Sequence, residues 1–178
     1  MKRIGEFLLV AVFAVMLLIR SAVIHAASSP QAGMLLADAK TQGAPAVVSK
    51  LWSDNARWNQ VMANIGQGNS EWLQVAAALR PSTDGGASEA LDEAVFLALK
   101  PAPVAVLKLL KIGTFQSHTV CSSNIGTDYT AAESKRFIKD RIKTLEQLSN
   151  PATEAARAQC LAGLRAALAE FNNPKEGK

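Results

Sequence analysis

The sequence is poor in the side chains on which most catalytic and metal sites depend. Its 178 residues include two histidines and two cysteines. Because His25 falls in the leader described below, His118 is the only histidine in the rest of the chain, and histidine is the side chain best suited to act as a general base. No cluster of ligands surrounds His118 and Cys121 in the sequence, so we expect no metal. We expect no cofactor either, and we interpret His118 as a surface residue in a loop.

The main alternative to a non-catalytic protein is a hydrolase-type enzyme that uses His118. Serines and Cys121 lie close to it in sequence. However, a Ser–His or Cys–His site also needs an orienting group and an oxyanion site, and sequence proximity provides neither. Asp84-Gly85-Gly86 lacks the preceding strand and the following Lys-Ser/Thr of a phosphate-binding loop, so we interpret it as a turn. We therefore predict that the protein is not an enzyme.

The sequence also lacks any long stretch in which apolar and polar residues alternate, the pattern of a half-buried strand. Apolar residues recur instead at helical spacing between Gly, Pro and Asn breaks. We predict an all-α fold of about seven to eight short helices in consecutive antiparallel hairpins. A helical-repeat-like stack and an irregular bundle are both compatible with this pattern.

Two segments of the sequence share one pattern: WNQVMANI from Trp58 and WLQVAAAL from Trp72. Each copy repeats apolar residues at i, i+3, i+4 and i+7, which predicts one buried stripe on each of two helices. Gly66, Gly68 and Asn69 separate the copies. Glycine favours a helix end and asparagine a helix start, so we predict two short helices joined by a tight turn.

The same signals divide the rest of the chain. Helices are predicted at 31–41, 45–52, 91–99, 104–112, 130–148 and 151–171, and a long loop at 113–128. Thr130 and Glu133 have the spacing of a capping box. We interpret Glu89, Asp92 and Glu93 as an acidic, solvated helix face.

The N-terminal residues resemble a secretory leader. Lys2 and Arg3 precede an apolar run of 13 residues at 7–19, and small residues follow at Ala26 and Ala27. We predict cleavage after Ala26, which leaves a helical domain at 27–172 and a disordered polar tail at 173–178. A retained anchor is the alternative, although 13 helical residues cover only about 20 Å of a membrane core of about 30 Å.

Export and removal of the leader would affect both the state of the two cysteines and the net charge. In an oxidising compartment Cys121 and Cys160, which lie 39 positions apart, are expected to form a disulfide; two free thiols are the alternative. Half of the net charge of +4 belongs to the leader, so the charge gives no reason to expect nucleic-acid binding. We expect a periplasmic or secreted protein without a stable membrane span after cleavage.

Two features are candidates for binding. Lys135, Lys139 and Lys143 recur every four residues on one predicted helix, with Arg136 and Arg141 nearby, and this basic ridge could bind an acidic partner. A merely solvated helix face is the competing interpretation. Trp52 lies at a predicted helix end, and an exposed tryptophan there would suit an interface.

We predict that the protein binds another exported or envelope protein, as an inhibitor or immunity protein, an adaptor or a secretion accessory. The alternative is a carrier or sensor of a small apolar or anionic ligand in an interhelical pocket. Val104, Leu107, Leu110 and Phe115 would line that pocket.

Overall fold

The computed structural model describes residues 30–122 and 129–172. Within these ranges the chain contains nine α-helices, two short 3-10 turns and no strand, which confirms the all-α prediction. The helices are α1 (Pro30–Thr41), α2 (Ala44–Trp52), α3 (Asn55–Gly66), α4 (Ser70–Leu79), α5 (Gly85–Ala98), α6 (Pro103–Lys111), α7 (Ser117–Val120), α8 (Ala131–Glu146) and α9 (Glu154–Asn172). The 3-10 turns are Arg80–Ser82 and Pro151–Thr153.

The repeated sequence forms α3 and α4, with the predicted turn between them. Gly68 adopts a positive φ of 75°. The Asn69 side chain then caps α4 by accepting a hydrogen bond from the Glu71 amide at 2.9 Å. Trp58 and Trp72 are both buried near the start of their helices. The periodicity therefore predicted both the elements and their inward faces.

Helices α6 and α8, and the 3-10 turn that leads into α9, also begin where the sequence signals place them. Pro103 is the first residue of α6. Thr130 and Glu133 form the capping box of α8, in which the Thr130 amide donates to the Glu133 carboxylate at 2.9 Å. Asn150 caps the 3-10 turn that leads into α9.

Some boundaries differ from the prediction. Helix α5 spans Gly85–Ala98 instead of 91–99, so Gly85 and Gly86, which were interpreted as part of a turn, lie in its first turn. Helix α8 ends at Glu146 instead of 148. The segment predicted as a loop contains the one-turn helix α7, and its remainder at 123–128 lies outside the described residues. On α1, Met34 is 57% exposed because Ala32 and Leu35 form the buried face of that helix.

The helices do not pack only against their neighbours in sequence. Helix α1 contacts α4, α3 contacts α5, and α9 contacts α6, α7 and α8. Buried apolar residues from all nine helices belong to one hydrophobic core. This packing favours the irregular bundle over a regular helical stack.

The disulfide between Cys121 and Cys160 is present and joins the end of α7 to α9. The backbones approach closely here: a Cβ atom on Gly163, one turn after Cys160, would collide with the Cys121 carbonyl oxygen. Glycine at 163 is therefore required for α9 to lie against the bridged segment.

The predicted leader, its cleavage point at Ala26 and Ala27, and the polar tail lie outside the described residues. Among the helices that are described, none combines the length and apolar character needed to cross a bilayer.

Candidate protein-binding surface

Trp52 is one of three large apolar side chains that are substantially exposed in the described residues, at 47%. It is the last residue of α2. Its ring meets Trp58 edge-on, with 5.2 Å between ring centroids and 87° between planes. Its other side lies over Gly86 at the start of α5, where a Cβ atom would be 3.4 Å from the indole. The exposed ring is therefore held by packing on two sides.

A shallow concavity of about 340 Å³ lies beside this ring. Its floor and walls come from α2, from the turn after α4 and from the start of α5. The residues lining it are Pro45, Val48, Ser49, Trp52, Ser82, Asp84, Gly85, Gly86 and Ala87. A protruding side chain could enter this space and rest on the indole.

The predicted basic ridge lies on the outward side of α8. Arg136, Lys139 and Lys143 are exposed and Lys135 is half-buried. The opposite side of the helix, which carries Ile138 and Leu145, is buried. We call Lys135, Arg136, Lys139 and Lys143 the basic face.

The acidic residues of α8 are engaged elsewhere. Asp140 accepts a hydrogen bond from Lys100 at 2.6 Å, and this contact lowers the pKa of the Asp140 carboxyl. Glu146 pairs with Arg165 at 2.8 Å. Glu133 belongs to the capping box, where the Thr130 hydroxyl lowers its pKa. None of the three lysines of the basic face has an ion pair within the described part of the chain.

Arg141 does not belong to the basic face, because it is buried with only 4% of its surface exposed. Its guanidinium donates to the Phe96, Leu97 and Phe137 carbonyl oxygens at 3.0–3.1 Å and lies 4.4 Å from the Phe96 ring centroid. Burial lowers its pKa to about 10. Arg141 thus satisfies carbonyl groups at the end of α5.

The two candidate features lie at opposite ends of α5. Trp52 packs over Gly86 at the start of that helix, whereas α8 is attached through Arg141 to Phe96 and Leu97 near its end. Ten helical residues separate these points by about 15 Å. The structure therefore presents two surface regions instead of one continuous patch.

The prediction of an acidic, solvated face on α5 is wrong at Asp92, because this residue is buried, with 8% of its surface exposed. Arg80 binds it: Nη2 donates to Oδ2 at 3.2 Å, and Nε lies 3.1 Å from Oδ1 without hydrogen-bond alignment. Burial raises the pKa of Asp92, while the nearby Arg80, Thr119 and His118 lower it less. Its helical spacing from Val95 and Leu99 was the available signal of burial.

His118 is exposed on α7, near enough to Asp92 to affect the pKa of that carboxyl. No hydrogen bond joins these two described residues, and both Asp92 oxygens face Arg80. The orienting group that a Ser–His or Cys–His site requires is therefore not supplied by Asp92. Across the described residues, no group of three or more His, Cys, Asp or Glu side chains is arranged to hold a metal ion.

The residues predicted to line a small-ligand pocket lie in or beside the core. Leu107, Leu110 and Phe115 are buried and Val104 is half-buried. Two further surface cavities, of about 430 and 500 Å³, are lined by other side chains. The first lies between α1, α3 and α4 around Met34 and Trp72, and the second lies beside Arg80 and Ile112.

No family model matches the chain, and no curated protein or solved structure shows significant similarity to it.

Proposed function

We propose that this is an exported, non-catalytic helical protein that acts by binding another protein through the surface around Trp52. The observation that carries the proposal is the half-exposed Trp52 ring, which packing against Trp58 and Gly86 holds in place. Tryptophan is enriched among the residues that dominate protein interfaces. A ring already fixed in the free protein loses little conformational entropy when a partner covers it.

The size of the effect is appropriate for an interface anchor. The exposed half of a tryptophan side chain is on the order of 100 Å². Covering that area would contribute about 2–3 kcal/mol at roughly 25 cal/mol per Å². The concavity beside the ring offers space for a partner side chain, and its lining includes the polar residues Ser49, Ser82 and Asp84.

Export is the second part of the proposal. Its supports are the leader-like N-terminus and the Cys121–Cys160 bridge, since disulfides persist mainly in oxidising compartments. The partner would then be an exported or envelope protein. The identity of that partner would decide between an inhibitory, an adaptor and a secretion-accessory role.

Affinity capture tests the proposal. The purified, oxidised protein is immobilised and exposed to cell-envelope extract and spent medium, in parallel with Trp52→Ala and Ile112→Ala variants. Ile112 is the matched control, because it is apolar, 71% exposed and not among the residues that line the Trp52 concavity. We expect wild type and Ile112→Ala to retain the same stoichiometric protein and Trp52→Ala to lose it.

Two results would count against a Trp52-centred interface. Equal losses in the two variants would indicate general adhesion to apolar surface. Undiminished capture by Trp52→Ala would place the interface elsewhere. If wild type captures nothing even at low salt, the protein-binding function is wrong, and small-molecule screening would follow.

A further inference from the structure

We propose that the basic face of α8 is a second docking surface, which binds an acidic protein segment with carboxylates about 6 Å apart, as on one side of a helix. The inference rests on the proposed function in that the occupant is a protein. It concerns a different surface from Trp52, so each can fail without the other.

The lysines of the basic face carry positive charge that the acidic residues of α8 do not pair with. Each of the three acidic residues of α8 has its hydrogen bond or ion pair with a group outside the basic face: Glu133 with Thr130, Asp140 with Lys100 and Glu146 with Arg165. Within the basic face, Arg136 is the residue close enough to Glu133 and Asp140 to lower the pKa values of these carboxyls. Lys139 and Lys143 are exposed and Lys135 is half-buried, and none of these three lysines has an ion-pair partner among the described residues. This arrangement differs from a mixed surface helix, in which i, i+4 pairs between opposite charges neutralise the exposed side.

The lysines of the basic face are evenly spaced along α8. Four helical residues advance 6 Å, so the three lysines extend over about 12 Å of α8. Adjacent charges lie within one Debye length of about 8 Å at physiological salt, so their fields add. Carboxylates at i, i+4 and i+8 on a partner helix have the same rise and would meet the lysines one to one.

The burial of the apolar side of α8 favours a protein over a lipid bilayer as the partner of the basic face. A helix that binds in the membrane interface needs a free apolar side to insert among the lipid chains. The apolar side of α8 is occupied, because Ile138 and Leu145 are fully buried in the core. Arg141, which could have extended the positive charge, is also turned inward. An acidic protein segment therefore suits the basic face better than an anionic bilayer.

The test uses two synthetic helical peptides, one with glutamates at i, i+4 and i+8 and one with lysines at the same positions. Binding to the full-length oxidised protein is followed by amide chemical shifts at low and high salt. The charge-reversed variant is Lys135→Glu, Lys139→Glu and Lys143→Glu together. The matched control reverses Lys40, Lys50 and Lys108, which are exposed on other helices and change the net charge equally.

We expect wild type and the control to bind the glutamate peptide with shifts confined to α8. We expect the charge-reversed variant to bind it at least about tenfold more weakly, and salt to weaken the wild-type complex because exposed charges are screened. The charge-reversed variant should instead bind the lysine peptide, which also shows that it is folded.

The inference is overturned if the glutamate peptide does not bind wild type, or if the control reversal weakens binding as much as the reversal on α8. It is also overturned if wild type binds vesicles of phosphatidylglycerol and phosphatidylcholine through α8 but does not bind the glutamate peptide. None of these three results alters the effect of Trp52→Ala on partner capture, so the proposed function is tested separately.

Discussion

At the scale of single residues, two positions have roles that composition does not reveal. Arg141 belongs to a cationic series in the sequence but serves the interior, where it binds three carbonyl oxygens. Its spacing from Ile138 and Leu145 places it on the buried side of α8, and this was the signal that outweighed its charge. Gly163 carries no sequence signal, because its role depends on the approach of Cys121 from another segment.

Replacing Arg141 by methionine should destabilise the protein strongly. The substitution keeps much of the apolar stem but removes a charged donor from three carbonyl oxygens, of which that of Phe96 still accepts from the Leu99 amide. We therefore expect a loss of about 3 kcal/mol in the free energy of unfolding, because hydrogen bonds to a charged group are lost in the interior. Urea denaturation with an unchanged m-value would measure it. Lys139→Met on the exposed side of the same helix should stay within about 0.5 kcal/mol of wild type. Similar losses in both variants would show that Arg141 has no special structural role.

Replacing Gly163 by alanine should also be destabilising, by about 2–3 kcal/mol, since the added methyl group requires the backbones of α9 and Cys121 to separate. Gly33→Ala is the control. Gly33 lies in α1 with open space around it, so alanine there should stabilise the helix by about 0.5–1 kcal/mol. Thermal unfolding of the two variants measures both effects. A neutral Gly163→Ala would contradict the close contact.

At the scale of elements, capping and periodicity predicted most helices because their causes are local. Asn69, the Thr130–Glu133 box and Pro103 act within one turn of their own position. Asp92 shows the limit of local reasoning: its burial depends on Arg80, which comes from the turn after α4. The exposure of Trp52 depends in the same way on the approach of α5 through Gly86.

The burial of Asp92 beside Arg80 should make the stability of the protein depend on pH. Because burial raises the pKa of Asp92 in the folded protein, its contribution to stability is fully present below the unfolded pKa of about 3.9. That contribution is lost as pH rises through the higher folded value. We therefore expect the stability of wild type minus that of Asp92→Asn to decrease as pH rises through this window.

Urea unfolding of both proteins between pH 3.5 and 7 measures this difference. Glu133, Asp140 and Glu154, whose pKa values are lowered by hydrogen bonds from Thr130, Lys100 and Arg157 respectively, act in the opposite direction. They are common to both proteins and cancel in the comparison. A difference that grows with pH would show that attraction to Arg80 outweighs the cost of burial.

At the scale of the whole molecule, one bridge fixes the C-terminal part of the fold. Cys121–Cys160 closes a loop of 39 positions and holds α7 against α9. The pairing could be predicted because the chain has only two cysteines. The arrangement of the helices could not, because contacts such as α1 with α4 depend on packing between distant segments.

Replacing both cysteines by serine should therefore lower the free energy of unfolding by about 4 kcal/mol, through the entropy gained by the unfolded chain. Denaturant unfolding of oxidised wild type and the double variant measures the effect. Reduced wild type is the control and should resemble the double variant. Equal stability of oxidised and reduced protein would mean that the bridge does not constrain the unfolded chain.

The most direct measurement of the Trp52 interface is fluorine NMR of the protein labelled with 5-fluorotryptophan. The chain has three tryptophans, and Trp58 and Trp72 are buried, so each gives a distinct site and the partner remains invisible. On addition of the captured partner we expect the Trp52 resonance, assigned with Trp52→Phe, to shift most and to lose its solvent sensitivity, while Trp72 stays unchanged. A saturated complex in which the Trp52 resonance keeps its position and solvent sensitivity would contradict the proposed interface.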